Sequence, residues 1–146
     1  MESQAQDLEF EDWQTFVGTW ATEATHPMLP GSEIRGETTF EWLEGDRFLI
    51  QRSHYDHPEI PDAIAIIGVT DEQLSMHYFD SRGVHRVYAV SLTQGTLRFE
   101  RNVPGFSQRL THTVSVDGNT IKGQGELSHD GRNWQDDLAI TYRRVR

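Results

Sequence analysis

About ten strand-like segments follow Gly18-Thr19-Trp20 with no second helix among them, and this sets the tightest limit on the fold. An antiparallel sheet of that length either closes on itself or leaves long edges free to pair with other chains. Closure of about ten strands leaves space at the centre, so the pattern predicts a container rather than a solid sandwich. The candidate strands run approximately over 19–25, 36–43, 47–56, 63–70, 73–80, 84–92, 96–102, 106–116, 120–128 and 134–144. Turn signals such as Pro30-Gly31, Asp71-Glu72, Gln94-Gly95, Asp117-Gly118 and Asp130-Gly131 separate them at spacings short enough for an up-and-down meander.

Ahead of the strands, Leu8, Phe10, Trp13, Phe16 and Val17 recur at three-to-four residue spacing, which predicts a short helix over about 8–17 that caps one barrel end. The 146 residues suit one domain, 1–146, with no linker or internal repeat. A net charge of −10 argues against a phosphate-backbone partner, so no nucleic acid is expected. No run approaches the roughly 18 apolar residues of a membrane span. The first seven residues lack a basic-then-apolar leader, and there is no cysteine, so a cytoplasmic protein is expected. Lys122 is the single lysine, which leaves Schiff-base chemistry little to work with.

Side-chain alternation predicts the faces. On 134–144 the apolar set is Trp134, Leu138, Ile140 and Tyr142; on 106–116 it is Phe106, Leu110, Val114 and Val116; on 120–128 it is Ile121, Gly123, Gly125 and Leu127. Polar residues caught on such faces are the candidate site. Asp136 shares parity with Trp134 and Leu138, His112 lies between Leu110 and Val114, and Arg86 lies between Val84 and Tyr88. Arg52 and His54 continue the face of Phe48 and Ile50. Unpaired in a dry core, each would cost several kcal/mol, so a wet cavity is expected. The expected ligand-binding set is Arg52, His54, Tyr78, Arg86, Tyr88, His112, Trp134 and Asp136. Trp42, Phe48, Tyr88, Phe99, Phe106 and Trp134 are read as barrel lining.

Gly18-Thr19-Trp20 after a short helix resembles the first-strand signature of the lipocalin-like, or calycin, barrels. In those families the tryptophan packs under an arginine from the last strand, a role the resemblance assigns to Arg143 or Arg144, of which Arg144 has inward parity. Asp80-Ser81-Arg82-Gly83-Val84 with Arg86 and Tyr88, then Phe106-Ser107-Gln108-Arg109, resemble motifs of an uncharacterised bacterial lipocalin-like family. So does the ending Ser128-His129-Asp130-Gly131 with Trp134, Asp137-Leu138 and Tyr142-Arg143-Arg144. The likeness covers most of residues 16–145 and implies a fold but no reaction. The nitrobindin-like haem barrels also open with Gly-x-Trp, but they supply an axial histidine near the C-terminus. Residues 130–146 contain none, so haem would have to recruit His112.

The expected function is therefore binding of a small, largely apolar molecule inside the barrel, without a cofactor, a metal or catalytic residues. A haem protein, or a cavity isomerase or hydrolase using His112 with Asp136 as an acid–base pair, are the alternatives. His54, His57, Glu59 and Asp62 offer metal-type ligands in one loop, but histidines three apart on a strand point to opposite faces. Arg52 or Arg86 could receive a carboxylate in the manner of fatty-acid carriers; for Arg86, structural pairing with Asp80 or Asp136 is the favoured reading. Strand 63–70 is apolar on both faces, with Ile64 and Ile66 opposite Ala65 and Ile67, and predicts a weak homodimer.

Overall fold

The computed structural model describes residues 10–145. Ten antiparallel strands close into one barrel in which each strand pairs with its sequence neighbours and the first pairs with the last. They are β1 Gly18–Thr25, β2 Ile34–Trp42, β3 Phe48–Tyr55, β4 Ala63–Thr70, β5 Gln73–Asp80, β6 His85–Thr93, β7 Thr96–Arg101, β8 Ser107–Val114, β9 Thr120–Ser128 and β10 Gln135–Arg144. One short helix, α1 Phe10–Gln14, precedes them. It is shorter than the predicted span, and Leu8 and Glu9 lie outside the described residues. No helix among the described residues is long and apolar enough to cross a membrane.

Two-residue hairpins set part of the meander. Asp71-Glu72 joins β4 to β5 with φ of 51° and 66°, and Gln94-Gly95 joins β6 to β7 with φ of 50° and 82°. Two consecutive left-handed residues give the turn whose twist matches that of paired strands.

The α1 end is closed and dry. Trp13 and Phe16 are buried over it, with Trp20, Phe40, Leu49, Ile67, Leu97 and Ile121 beneath. Each such side chain contributes about 1.5–3 kcal/mol by leaving water. Trp20 donates its indole N–H to the Phe16 carbonyl at 2.9 Å, fixing the helix to the first strand. Trp20 and Arg144 are register partners across the β1–β10 seam, and the Arg144 guanidinium lies 4.3 Å from the Trp20 ring centroid. That guanidinium also donates to the carbonyls of Thr15, Val17 and Gly118. One side chain therefore joins the cap, the closing seam and the β8–β9 turn, as the resemblance implied for an arginine here.

Two strands depart from simple alternation. Asp136 pairs with Glu126 and Ala139 with Gln124, so Asp137 and Leu138 together oppose Gly125. This is a β-bulge, and the extra residue inverts the parity of everything before it. Asp136 and Gln135 are exposed, and Asp137 turns inward in place of Asp136. Trp134 stacks instead on Arg109, 3.9 Å from guanidinium carbon to ring centroid, while Arg109 pairs with Glu126 at 2.7 Å. On β3 the inward residues are Leu49, Gln51, Ser53 and Tyr55. The face of Phe48, Ile50, Arg52 and His54 points outward, and Phe48 lies over Gly68. Val116, expected inside, is fully exposed.

Candidate functional site

Away from α1 the barrel opens into a cavity of about 410 Å³. It falls within the size range of small-molecule sites, about 300–1,000 Å³. Ala65, Met76, Phe99, Leu110, Leu138 and Ile140 give it apolar walls. Set among them are Gln51, Ser53, Tyr55, Tyr78, Tyr88, Gln108, His112 and Tyr142, with Arg82, Arg86 and Asp137 nearer the mouth.

Of the residues singled out from sequence, Tyr78, Arg86, Tyr88 and His112 line this cavity. Phe99 and Phe106 line it too. The other four lie elsewhere. Arg52 sits on the outer wall, where it donates to Glu41 at 3.0 Å. His54 is exposed and holds Asp62 at 2.8 Å through Nδ1 and Asp56 at 3.1 Å through Nε2. Two carboxylates on the two ring nitrogens need both nitrogens protonated, and Asp62 foremost raises the His54 pKa. His57 is not part of that group; its Nδ1 accepts the Glu59 backbone N–H. Trp134 and Asp136 are outside for the reason given by the bulge.

The His112–Asp136 pair therefore does not exist. Asp137, the carboxylate that does face inward, is held by His26 at 2.8 Å. His112 is buried between Phe99 and Tyr142, with ring centroids 5.5 and 5.6 Å away. Its Nε2 is 3.4 Å from the Tyr142 hydroxyl, and its Nδ1 is buried without a partner. Gly123, its cross-strand neighbour, makes room for the ring: a Cβ there would lie 2.7 Å from His112 Cδ2. Burial lowers the His112 pKa from 6.5 to about 4, so the imidazole is neutral at pH 7. Thr22 Oγ1, whose residue is the register partner of Tyr142, is the other buried side-chain oxygen or nitrogen without a partner among the described residues. Each orphan costs about 1–3 kcal/mol unless something in the lumen satisfies it.

At the mouth, Asp80 carries the turn from β5 to β6. Its buried carboxylate accepts from the Tyr78 hydroxyl at 2.8 Å, from the Arg82 backbone N–H at 2.9 Å and from Arg82 Nη2 at 2.7 Å. Arg82 holds that carboxyl well below the usual range. Burial, then Asp80, pushes the Tyr78 phenol up. Asp80 is thus committed to Arg82, and Arg86 does not reach it.

Sequence reasoning missed Gln51, Ser53, Tyr55 and Gln108 because polar residues on an inward face look like an outer face. Ser53 Oγ and Thr38 Oγ1 satisfy one another at 3.1 Å inside the barrel. Asp137 was hidden by the bulge, for which Gly125 was the available signal.

Haem is the group that the nitrobindin likeness raises, and the chain's inward groups do not reproduce that arrangement. The last strand carries the Tyr142 ring on its inward face and has no histidine.

No family model matches this chain, and no curated protein matches it. Among solved structures it is similar to Rv2717c from M. tuberculosis, with a TM-score of 0.67 and 16% identity over 94% of this chain and 97% of that one. A redesigned beta barrel aligns at TM-score 0.47 and 14% identity over 91% of this chain and 94% of that one. EF1p2_mFAP2b bound to DFHBI aligns at TM-score 0.46 and 12% identity over 90% of this chain and 94% of that one. The likeness to Rv2717c is one of fold: a distant barrel of nearly the same length.

Proposed function

We propose that this protein reversibly binds a small, largely apolar organic molecule in the open half of its barrel, and that it is a lipocalin-like binding protein of the cytoplasm. The observation that carries the reading is the buried, partnerless Nδ1 of His112 beside a cavity of about 410 Å³. Apolar walls supply affinity, and the neutral polar groups fix orientation. A neutral imidazole gives one hydrogen bond to a guest at no cost in charge burial. The Trp20–Arg144 stack across the closing strands supports the lipocalin-like relationship. The lack of any cysteine supports the cytoplasmic home.

Native mass spectrometry of protein purified from its own host tests the reading, together with titration of the neutral fluorophore N-phenyl-1-naphthylamine. A retained small molecule, or saturable fluorophore binding that His112→Leu weakens, is the expected result. No retained mass and no fluorophore binding would overturn it. A Soret band lost in His112→Leu would replace it with a haem protein.

A further inference from the structure

The cavity mouth holds more hydrogen-bond donors than its protein acceptors can use. Gln108 Oε1 accepts from Arg86 Nη1 at 3.2 Å and from the Tyr88 hydroxyl at 3.0 Å. The oxygen must face the guanidinium, because the amide nitrogen has nothing to accept with. The Gln108 amide N–H groups are then left without a protein partner among the described residues, and beyond Gln108 the Arg86 guanidinium meets only the neutral Tyr88 hydroxyl and no carboxylate. Both carboxylates that sequence offered to Arg86 are unavailable: Asp80 is taken by Arg82, and Asp136 faces solvent. Asp137 is taken by His26. What Arg86 does have is the Phe106 ring, 5.4 Å from its guanidinium carbon, which orients it without neutralising it. Arg101, the register partner of Gln108, is half-buried alongside and donates to the Phe106 carbonyl at 3.3 Å. Arg82 and Arg86 line the mouth together with Glu59 and Asp137, and among the described residues no carboxylate comes within ion-pair distance of Arg86.

We infer that the ligand is a monocarboxylate with a compact apolar body, its carboxylate received at the mouth by Arg86 and the Gln108 amide. The body then lies deeper, against Met76, Phe99 and Ile140. A carboxylate supplies both the acceptors and the counter-charge that Arg86 lacks, and a guanidinium fork suits its two oxygens. This inference rests on the binding reading above and names the chemical class it leaves open.

The test uses the full chain and the neutral reporter N-phenyl-1-naphthylamine, displaced in parallel by 1-naphthaleneacetate and 1-naphthaleneacetamide at pH 7. The two competitors share a body and differ in charge. The acid is expected to displace at a concentration about tenfold or more below the amide, the factor expected of hydrogen bonds to a charged group. Arg86→Met is expected to bring that ratio close to one, and Arg86→Lys to retain part of it. The ratio is read within each variant, so a general loss of affinity does not disturb it. Equal displacement by acid and amide in the wild type, or a preference that survives Arg86→Met, would overturn the inference while leaving the binding reading intact. A reporter that does not bind a wild type that also retains no small molecule in native mass spectrometry would overturn both. A retained molecule without a carboxyl group would overturn the inference alone.

Discussion

His112 should make the barrel lose stability in mildly acidic solution, between pH 6.5 and about 4. Unfolded, an imidazole titrates at its ordinary value of 6.5; in the barrel, burial takes it to about 4. Below pH 6.5 the unfolded chain gains a proton that the folded chain refuses, so stability is complete above 6.5 and drains away as pH falls toward 4. At about 1.4 kcal/mol per pKa unit, the loss is about 1 kcal/mol by pH 5.5 and about 2–3 kcal/mol by pH 4.5. The other resolved shifts leave this window clear. His54 is raised by Asp62, so its contribution is present below 6.5 and is lost only as pH rises above that value. Asp80, Asp117 and Asp130 are lowered, so their contributions are lost only below about 3.8.

Urea unfolding at pH 7.5, 6.5, 5.5 and 4.5 measures the drop, and His112→Leu should flatten it across the same range. The carbon-bound ring protons of His112 give a direct reading by NMR, with an expected midpoint near pH 4. A midpoint near 6.5, or an acid slope that persists unchanged in His112→Leu, would show that the imidazole is hydrated. The idea of a dry, neutral ring beside the cavity would then be refuted.

Gly123→Ala places a Cβ 2.8 Å from His112 Nε2 and should cost about 1–3 kcal/mol in urea, most of it recovered when His112→Ala is added. Arg144→Met removes the Trp20 stack and leaves the carbonyls of Thr15, Val17 and Gly118 short of a donor; a loss of about 2–4 kcal/mol is expected, which Arg144→Lys should not restore. All four tyrosines have raised pKa values, with burial as the leading cause, so the unfolded chain releases phenolic protons first as pH rises above 10. Phenolate absorbance at high pH should therefore appear in one step with unfolding; a gradual rise with the fold intact would contradict this. On the outer wall Ile64 and Phe79 are exposed register partners, with exposed Val87 on β6. Weak self-association is expected by light scattering at micromolar concentration, abolished by Phe79→Glu, and a wild type that stays monomeric would remove the prediction.

The dry half of the barrel was legible because burial there obeys one rule. Trp20, Phe40, Ile67, Leu97 and Ile121 are apolar and inside, and the turns between their strands carry the residues their dihedrals need. The same rule misplaces Arg52 and His54, because β3 runs from the dry end into the cavity. Its inward positions change from Leu49 to Gln51, Ser53 and Tyr55, while Phe48 and Ile50 face outward. An alternation count takes the more apolar face as the inner one, and along this strand the outer face is the more apolar. Asp136 fails for a second, independent reason: parity cannot be carried across an extra residue, and the bulge opposite Gly125 is only one residue long. The Asp136 departure lies toward the mouth. The β3 inversion begins at the dry end, where Leu49 rather than Phe48 is buried, and Val116 by the β8–β9 turn is exposed. Patterning follows hydrocarbon burial, so it fails where polar side chains line the lumen, as at Gln51 and Ser53, and where apolar ones such as Phe48 cover the outer wall.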